Sequence, residues 1–583
     1  MRPIRTFLPI AALLFATGSV TPPDDLDSFV AAQMARRHVP GLSLAIVQDG
    51  KIVEARAYGV TDSAGTYPVT TTTLFQAGSI SKSVAALGAL HLVDEGKLSL
   101  DADVNGYLTT WKVPDNDFTR AKRVTLRGLL SHTAGLTVHG FPGYAVTEAK
   151  PTLVQVLDGT PPANTPAIRV EAVPGSRWNY SGGGYTIMQQ MMLDVTGQSF
   201  PDYMRRSVLV PIGMTNSSYQ QPLPAALVPR TAAGHYQFRN EVDGRWHVYP
   251  EMAAAGLWTT PTDLVKFAIE VQLANAGASS RVITPATAHQ MLTEQMSGDG
   301  LGVFLQDSGR ARTFGHGGRN EGFDAQLTAT VGTGQAVAVM INANDDSRMV
   351  SRIVAFVARK YHWPNATSFD APVASATPAP ASLLRTYVGR YELTNNNLLT
   401  LVPCAGQLCT SIGGYPDEEL VWLGGDRFAS TERRLTVTPV RDSSGAIVAL
   451  TWANGSQPQR VIPRVGPLVA DLARQPDPDP ALTGRVMDVL RALAQGGQVV
   501  ATHPALTAGA RRDFSRGPWP TAQGVTAVRF IGAEDVSRRK LERHDGAVDR
   551  IAYYTMSGKI GDRALLVYLT KDGLITDVDD VDQ

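Results

Sequence analysis

The chain has 583 residues, too many for one hydrophobic core, so we expect about three or four domains. Its 53 lysines and arginines balance 53 aspartates and glutamates without a long basic run, which argues against nucleic acid or an anionic membrane surface as a partner. A hydrophobic content of 43%, with 54 glycines and 37 prolines, is typical of a turn-rich soluble globular protein.

The N-terminus has the order of charge and apolarity that is typical of an export signal. Arg2 and Arg5 precede an apolar run at 7–16, and small residues at 17–19 offer a cleavage site, so we assign residues 1–20 to the signal. A disordered or buried N-terminal helix is the alternative interpretation. No later apolar run reaches the roughly 18 residues that a membrane span needs. We therefore expect a protein without a membrane span, located in the periplasm or secreted.

The first elements of the mature chain are a helix, a hairpin and a second helix. Apolar residues on one side of 25–37 predict the first helix, and the alternating runs 42–47 and 52–58 around an Asp-Gly turn predict the hairpin. Residues 79–95 repeat apolar side chains at helical spacing and end at Gly96. They predict a buried amphipathic helix.

This helix begins with a serine and a lysine three residues apart. Ser79 and Lys82 then share one face, and a lysine amine can take the serine proton if burial lowers its pKa. Ser79 is therefore our candidate nucleophile. Alone, the pattern is weak, because an ordinary helix start with a capping Ser79 and a solvated Lys82 has the same sequence.

The following segment, up to residue 361, alternates helical and strand-like runs. The predicted helices lie at 124–130, 185–196, 262–273 and 349–361, and the predicted strands at 301–305, 323–330 and 336–342. Strands near both ends, with helices between them, predict an antiparallel sheet with an inserted helical region. We assign residues 21–362 to this domain.

Two smaller domains are expected after it. Residues 363–382, rich in Pro, Ala, Ser and Thr, predict a linker. Short β runs at 388–393, 398–402, 435–440 and 447–452 predict a small all-β, barrel-like domain over 383–465. A helix at 482–494 and strands at 525–531, 551–556 and 565–569 predict an α+β domain over 466–583. Neither carries a catalytic pattern, so substrate-edge shaping, an interaction role and simple stabilisation all stay open.

The two cysteines lie close together in the predicted all-β domain. Cys404 and Cys409 could be cross-linked across a hairpin turn in an oxidising compartment, or they could be two unpaired thiols. No histidines neighbour them, so they do not form a metal site. We expect neither a metal nor an organic cofactor.

Two glycine-rich segments could complete a site around the nucleophile. Tyr180 begins the run Tyr-Ser-Gly-Gly-Gly-Tyr, and a nearby lysine ammonium would favour its phenolate, so Tyr180 could act as a base toward Ser79 and later as an acid. The run 314–319, Phe-Gly-His-Gly-Gly-Arg, leaves room for substrate along a strand. The N-H groups of Ser79 and of a residue on that strand could hold an oxyanion. His132 is interpreted as a hydrogen-bonded structural histidine.

Five motifs in this order resemble the class C β-lactamase-like serine hydrolases, a group that includes penicillin-binding-protein-like peptidases, D-aminopeptidases and esterases. The resemblance covers residues 24–362. The motifs are Phe-x-x-Gly-Ser-x-x-Lys at 75–82, Leu-Ser-His-Thr-Ala-Gly-Leu at 130–136, Tyr-Ser-Gly-Gly-Gly-Tyr at 180–185, Gly-Leu-Trp-Thr-Thr-x-x-Asp-Leu at 256–264, and Gly-His-Gly-Gly with Gly-Phe at 315–323.

The resemblance implies a fold and a set of roles. The fold is an α/β sandwich with the site between a helical lobe and an antiparallel sheet. Ser79 is implied to be the acylated nucleophile, Lys82 its partner and Tyr180 the first residue of a Tyr-x-Asn element. His316, Gly317 and Gly318 stand in for a Lys-Thr-Gly strand motif, and the Arg319 N-H is the second oxyanion donor.

Two positions depart from the family pattern. Gly182 stands where β-lactamases and peptidases carry asparagine, so an amide that could bind the substrate and the lysine is missing. His316 replaces a lysine, and a mostly uncharged imidazole attracts a substrate carboxylate weakly. Both changes favour an ester or a neutral amide over a β-lactam.

The sequence therefore predicts an exported serine hydrolase that acts on a small-molecule or peptide substrate. Which of Lys82 and Tyr180 is the base stays open, because coupled groups titrate as a pair. The alternatives are a peptidase or β-lactamase acting on D-amino-acid or β-lactam substrates, and a sensor that is acylated but turns over poorly. An α/β-hydrolase fits worse because no Gly-x-Ser-x-Gly elbow occurs. The oligomeric state is left open.

Overall fold

The computed structural model describes residues 25–581 with short gaps. The gaps are 66, 237–240, 307–311, 346, 365–376, 395–396, 405, 413–414, 431–434, 455–458, 470–471, 516–518, 540, 545 and 559–560. The predicted export signal and most of the predicted linker lie outside the described residues. None of the described helices has the length and apolarity that crossing a bilayer requires.

The N-terminal part of the chain combines helices with a six-stranded sheet. Its helices are α1 Asp25–Arg37, α2 Ile80–Asp94, α3 Asp117–Ala121, α4 Leu126–Leu130, α5 Leu153–Asp158, α6 Gly182–Thr196, α7 Phe200–Met204, α8 Met252–Ala255, α9 Pro261–Asn275, α10 Pro285–Met291 and α11 Arg348–Lys360. Its strands are β1 Gly41–Gln48, β2 Lys51–Gly59, β3 Phe75–Gln76, β4 Tyr144–Ala145, β5 His247–Val248, β6 Trp258–Thr259, β7 Phe304–Gln306, β8 Thr313–Asn320, β9 Phe323–Thr330 and β10 Ala336–Ile341. The sheet order is β2-β1-β10-β9-β8-β7 and every pairing is antiparallel.

The inner strands β1 and β10 of the sheet are buried on both faces, as the alternation of side chains along β1 shows. Leu42, Leu44 and Ile46 pack with α1 and α11 on one face, whereas Ala45 and Val47 belong to the core shared with the helical lobe on the other. A strand covered on both sides is therefore mostly apolar, and the one buried hydroxyl within β1, that of Ser43, donates to the Arg56 carbonyl. This arrangement confirms the predicted α/β sandwich of an antiparallel sheet and a helical lobe.

Several predicted elements agree with the structure, and two differ for local reasons. Helix α1 and strand β9 have the predicted bounds. Strand β7 begins at Phe304 rather than at 301, because Gly302 adopts a left-handed backbone (φ +86°) where the loop packs on α2. Helix α6 begins at Gly182, three residues before the predicted start, because the Ser181 hydroxyl caps it by accepting from the Gly184 N-H at 3.2 Å.

The middle of the chain forms a closed antiparallel barrel. After α12 Ala381–Tyr387 come its strands, β11 Gly389–Thr394, β12 Asn397–Cys404, β13 Gln407–Ile412, β14 Tyr415–Trp422, β15 Phe428–Ser430, β16 Leu435–Arg441, β17 Ile447–Asn454 and β18 Arg460–Gly466. The structure joins Cys404 and Cys409 in a disulfide across the β12–β13 hairpin. The pairing that the sequence left open is thus formed.

The C-terminal part packs three helices on one face of a four-stranded sheet. Its elements are α13 Pro480–Gln495, α14 Gly497–Ala501, α15 Ala508–Phe514, β19 Ala527–Asp535, β20 Glu542–Arg543, β21 Gly546–Ala547, β22 Arg550–Gly558, β23 Gly561–Leu569 and β24 Ile575–Val581. The sheet order is β19-β22-β23-β24. The other face packs on Val465 and Val469 at the end of the barrel, so this α+β part is held against the barrel by an apolar contact.

Candidate active site

The serine and the lysine meet at the start of α2. Ser79 occupies the N-cap position but makes no side-chain capping hydrogen bond, and it is half-buried. The Lys82 amine lies 2.9 Å from the Ser79 hydroxyl oxygen and donates a second hydrogen bond to the Ala254 carbonyl of α8 at 2.8 Å. The hydroxyl is therefore held by the lysine rather than by the helix backbone.

Lys82 is almost completely buried. Its side chain is 2% exposed, and the burial lowers its pKa to about 7, because a charged ammonium loses its hydration there. Both of its hydrogen bonds go to neutral oxygens, so no carboxylate restores the charge. A substantial fraction of Lys82 is consequently a neutral amine near pH 7, the form that can accept a proton from Ser79.

Tyr180 completes the group, but in a different protonation state from the one expected. Its ring centroid lies 5.2 Å from the Lys82 nitrogen, and its phenol is close enough to Ser79 for the serine hydroxyl to affect its pKa. Burial raises the pKa of Tyr180 well above its ordinary value. The expectation that the lysine would favour the phenolate is wrong, because burial disfavours both charged forms, the Lys82 ammonium and the Tyr180 phenolate. Tyr180 is a neutral phenol that can donate a proton.

His132 supports Tyr180 from behind. The imidazole is buried, its Nδ1 accepts from the Ser181 N-H at 3.1 Å, and its ring centroid lies 4.2 Å from that of Tyr180. Its backbone is left-handed, with φ +56°. Burial lowers the pKa of His132 well below its ordinary value. These contacts fit the structural histidine that the sequence suggested.

His316 lies on β8 and faces the same cleft. Its ring centroid is 6.1 Å from that of Tyr180 and 4.7 Å from that of Phe304. The Nδ1-H donates to the Gly317 carbonyl, so Nε2 is an acceptor, and within the described residues this buried atom has no hydrogen-bond partner. Burial, helped by the nearby Lys82, lowers the pKa of His316 to about 3. The imidazole is therefore uncharged at neutral pH.

Two glycines allow the nucleophile turn to touch the middle of β8. A Cβ atom on Gly78 would lie 2.3 Å from the Arg319 nitrogen, and one on Gly318 would lie 1.9 Å from the Ala77 carbonyl oxygen. Gly78 also has a left-handed backbone, with φ +51°. This approach brings the Arg319 backbone beside the turn that carries Ser79.

The strand next to β8 is short, which leaves part of its edge open. β7 pairs with residues 313–315 of β8 and not with Gly317 and the residues after it. On its other side β8 pairs with β9 along its whole length. Asn320, at the end of β8, donates to the Gln76 side chain and to the Ala255 carbonyl, at 2.8 and 2.9 Å. The unpaired edge of β8 thus lies beside the turn that carries the nucleophile, and Asn320 anchors the end of the strand.

Gly182, where the family pattern carries asparagine, is packed closely against its neighbours. It is buried at the start of α6, where its N-H donates to the His139 carbonyl at 3.1 Å. A Cβ atom at this position would lie 3.0 Å from the Phe141 ring. The region around Lys82 therefore lacks a side-chain amide from this position, and Phe141 takes up the space.

Three groups near the site carry no signal that we used in the sequence. The Ala254 carbonyl accepts from Lys82, but a backbone oxygen has no sequence signature. Trp178 lies two residues before Tyr180 and donates through Nε1 to the buried Asp299 at 2.9 Å. The sequence offers one hint that Asp299 lies near the site, because Asp299 directly precedes the Gly-Leu-Gly turn that packs on α2.

Comparisons with known proteins point to one family. The β-lactamase family model matches residues 26–359. Penicillin-binding protein 4 of Amycolatopsis lactamdurans is 29% identical over 328 residues, which cover 53% of this chain and 83% of that protein. Protein flp of Staphylococcus aureus strain N315 is 28% identical over 242 residues, 41% of this chain and 45% of that protein. The octameric penicillin-binding protein homologue from Pyrococcus abyssi superposes with a TM-score of 0.52 at 20% identity, covering 75% of this chain and 99% of that one.

Proposed function

This chain belongs to the β-lactamase family and is a serine hydrolase, and we propose that it cleaves an ester or a neutral amide through an acyl-enzyme on Ser79. The observation that carries the proposal is the hydrogen bond from the buried Lys82 to Ser79, with the Tyr180 ring centroid 5.2 Å from the same lysine nitrogen. A nucleophile, a base and an acid thus lie together around the Lys82 amine.

We assign the base to Lys82 because its pKa is lowered, whereas that of Tyr180 is raised. The neutral amine takes the Ser79 proton as the oxygen attacks the carbonyl carbon. The N-H groups of Ser79 and Arg319 hold the oxyanion, and the open edge of β8 at Gly317 and Gly318 receives the substrate.

Collapse of the tetrahedral intermediate needs a proton on the leaving group. Tyr180 donates its hydroxyl proton there and takes one from the Lys82 ammonium, so both residues return to their starting forms when the acyl-enzyme appears. Water then attacks the ester carbonyl, losing a proton to the same pair, and the acid leaves as Ser79 is reprotonated.

The substrate class follows from the two departures from the family pattern. His316 is uncharged at neutral pH and position 182 has no side chain, so position 316 supplies no cation for a substrate carboxylate and position 182 supplies no amide for a substrate amide. These features favour neutral esters and amides. The similarity to a protein named penicillin-binding protein 4 supports a second candidate, acylation by a β-lactam.

We propose further that residues 1–20 direct export to the periplasm or the exterior, since their charge order is that of a signal. In this proposal the hydrolase domain covers 21–362, with accessory domains over 383–465 and 466–583. Fusion of residues 1–20 to a reporter that is active only after export tests the first part. A reporter that stays inactive would rule out the export signal.

A fluorophosphonate probe and a substrate panel test the hydrolase assignment. The panel contains short-chain p-nitrophenyl esters, amino-acid amides and a chromogenic cephalosporin. We expect the probe to label the wild type, to abolish ester turnover, and to leave Ser79→Ala unlabelled. Ser444→Ala, at an exposed serine of the barrel, is the matched control and should behave as the wild type. Equal turnover by the wild type and Ser79→Ala would overturn the proposal, and stable penicillin acylation without turnover would favour the second candidate.

A further inference from the structure

The outer face of the sheet, which α1 and α11 cover along β1 and β10, becomes polar at β9 and β8. On β9 it carries Gln326 and Thr328, which lie opposite apolar residues of β10 that belong to the covered core. On β8 it carries Gly317, opposite Gln326, and Gly315, opposite Thr328, because directly opposed residues of antiparallel strands share a face. His316, between the glycines, points to the catalytic cleft on the other face. The two glycines therefore lie directly behind the cleft.

These residues border a cavity of about 240 Å³. Strand β7 adds Phe304, which lies opposite Gly315, and Gln306 from the same face. Among the described residues that line the cavity there is no aspartate, glutamate, lysine or arginine, and His316 is uncharged at neutral pH. The volume is below the roughly 300–1,000 Å³ of sites for drug-sized ligands. The cavity therefore suits one small, uncharged ring.

Gly317 is not required by the packing of the sheet. A Cβ atom on Gly315 would lie 2.1 Å from the Leu327 carbonyl oxygen, so the strand pairing itself excludes a side chain there. A Cβ atom on Gly317 would first meet the side-chain oxygen of Gln326, at 3.2 Å, and its φ is not left-handed. Glycine weakens a strand interior, and it often marks a place where a ligand approaches the backbone. A ligand in this cavity accounts for the glycine at position 317.

The walls of the cavity offer hydrogen bonds beside an aromatic ring. The Gln326 amide nitrogen lies 3.4 Å from both the Leu327 carbonyl and the Thr328 hydroxyl, near the upper limit for a hydrogen bond, so this amide is loosely held. The Phe304 ring is half-buried. A sugar fits this combination, because the C-H groups of its ring pack on an aromatic face and its hydroxyls exchange hydrogen bonds with amides and hydroxyls.

Other classes of ligand fit this cavity less well. An ion would lose its hydration without meeting an opposite charge. An extended peptide binds by pairing with a strand edge, whereas here the backbones of β8 and β9 are already paired with each other beneath the cavity. A neutral group with several hydroxyls needs neither a counter-charge nor a free strand edge.

We propose that a neutral sugar ring binds at the outer face of β8, held by Phe304, Gln306, Gln326 and Thr328. The Phe304 ring centroid lies 4.7 Å from that of His316 and 6.2 Å from that of Tyr180, so the sugar site begins next to the catalytic group. The inference rests on the proposed function and narrows it to sugar esters where the ring is the alcohol part of the substrate. The other source of the same ring is a separate saccharide bound beside the cleft.

The first test compares two acetate esters that differ in their hydroxyls. Methyl 6-O-acetyl-α-D-glucopyranoside and cyclohexylmethyl acetate both carry a six-membered ring on the carbon next to the ester oxygen, and only the first has hydroxyl groups on it. We expect kcat/KM to be at least about tenfold higher for the sugar ester. Gln326→Leu keeps the size of the side chain and removes the amide, and should reduce this preference about fivefold. Thr328→Val removes a hydroxyl and should reduce it about threefold.

The control is Thr438→Val, at a half-buried threonine of the barrel strand β16, which should keep the wild-type preference. The second test measures binding of methyl α-D-glucopyranoside to the full chain by saturation-transfer NMR. Binding that weakens in Gln326→Leu, without a preference between the esters, would identify the ring as a separate saccharide.

The inference is overturned if the wild type shows neither the preference nor the binding. It is also overturned if Gln326→Leu and Thr328→Val change neither, or if they lower kcat/KM equally for both esters, as a purely structural role would. Should one of these variants fail to fold, the other decides. Failure of the proposed function gives a different result, namely no turnover of either ester that depends on Ser79, while the NMR measurement still tests the sugar site.

Discussion

The Lys82 amine lies 2.9 Å from the Ser79 hydroxyl oxygen, one helical turn away on the same helix, and its other hydrogen bond ends on the neutral Ala254 carbonyl. A buried amine between two neutral oxygens is easily deprotonated, because nothing nearby compensates its positive charge. This one relationship explains how a lysine serves as a base near neutral pH.

Catalysis should follow the titration of Lys82. The neutral amine is the active form, so kcat/KM for a neutral ester should fall about tenfold per pH unit below pH 7 and level off above it. His316 does not titrate in this range, because its pKa is about 3, and Tyr180 stays protonated. A rate profile measured from about pH 5 to about pH 9 checks the expectation.

Asp299 and Glu251 also have pKa values raised to about 7, so their titration has to be distinguished from that of Lys82. The rise of kcat/KM with pH should persist in Asp299→Asn and in Glu251→Gln. The assignment of the base to Lys82 would be contradicted if this rise disappeared in either variant. It would also be contradicted if the midpoint of the rise lay near the ordinary lysine pKa.

Removing the Tyr180 hydroxyl should affect amides more than activated esters. Tyr180→Phe should lower kcat/KM for an amide by about 10²- to 10⁴-fold, because the amine leaving group needs a proton, and less for a p-nitrophenyl ester, whose phenolate leaves without one. Tyr185→Phe is the control: its hydroxyl is bonded to the Leu130 carbonyl, away from Ser79, although Lys82 lies 5.8 Å from its ring. Equal losses for amide and ester would argue against a proton donor at position 180.

The contact between the nucleophile turn and β8 should tolerate no side chain at position 78. Gly78→Ala would place a methyl group 2.3 Å from the Arg319 nitrogen, whereas a methyl group at Gly96, also left-handed, would meet no atom within 4 Å. We expect Gly78→Ala to lose more than about a hundredfold in acylation rate, a barrier increase of about 3 kcal/mol. Gly96→Ala should cost about 1 kcal/mol of stability and keep its activity. Probe labelling and thermal unfolding distinguish the two, and similar behaviour of both variants would contradict the steric argument.

The stability of the contact between the barrel and the α+β part should depend on one buried arginine. Arg543 is fully buried, 3.0 Å from Glu392 of the barrel and 3.5 Å from Asp577 of β24. Arg543→Ala would remove the guanidinium from both buried carboxylates, so we expect a loss of about 3–5 kcal/mol in the unfolding of this part. Arg441→Ala breaks a partly exposed pair with Asp426 at 3.0 Å and should cost about 0–1 kcal/mol. Urea unfolding followed by fluorescence measures both, and equal small effects would show that the buried contact is unimportant.

Local patterns in the sequence were sufficient for the elements that have strong periodicity or clear end signals. Helix α1 and strand β9 have the predicted bounds because an amphipathic helical run and an alternating run mark them. Strand β14 and the final strand β24 were not predicted. Their sequences, Tyr-Pro-Asp-Glu-Glu-Leu-Val-Trp and Ile-Thr-Asp-Val-Asp-Asp-Val, are rich in acidic residues and read locally as loops. They become strands because neighbouring strands pair with their backbones.

By itself, the sequence determined the pair of residues one helical turn apart, the order of the five motifs and the two departures at Gly182 and His316, since these depend on residue type and spacing. Only the tertiary structure decided the protonation states, because the pKa of Lys82 and of Tyr180 depends on burial by segments far away in the chain. It also decided that the Trp178 indole donates to Asp299, which lies 121 residues away in the sequence. Desolvation and long-range contact are properties of the folded chain, and no local pattern carries them.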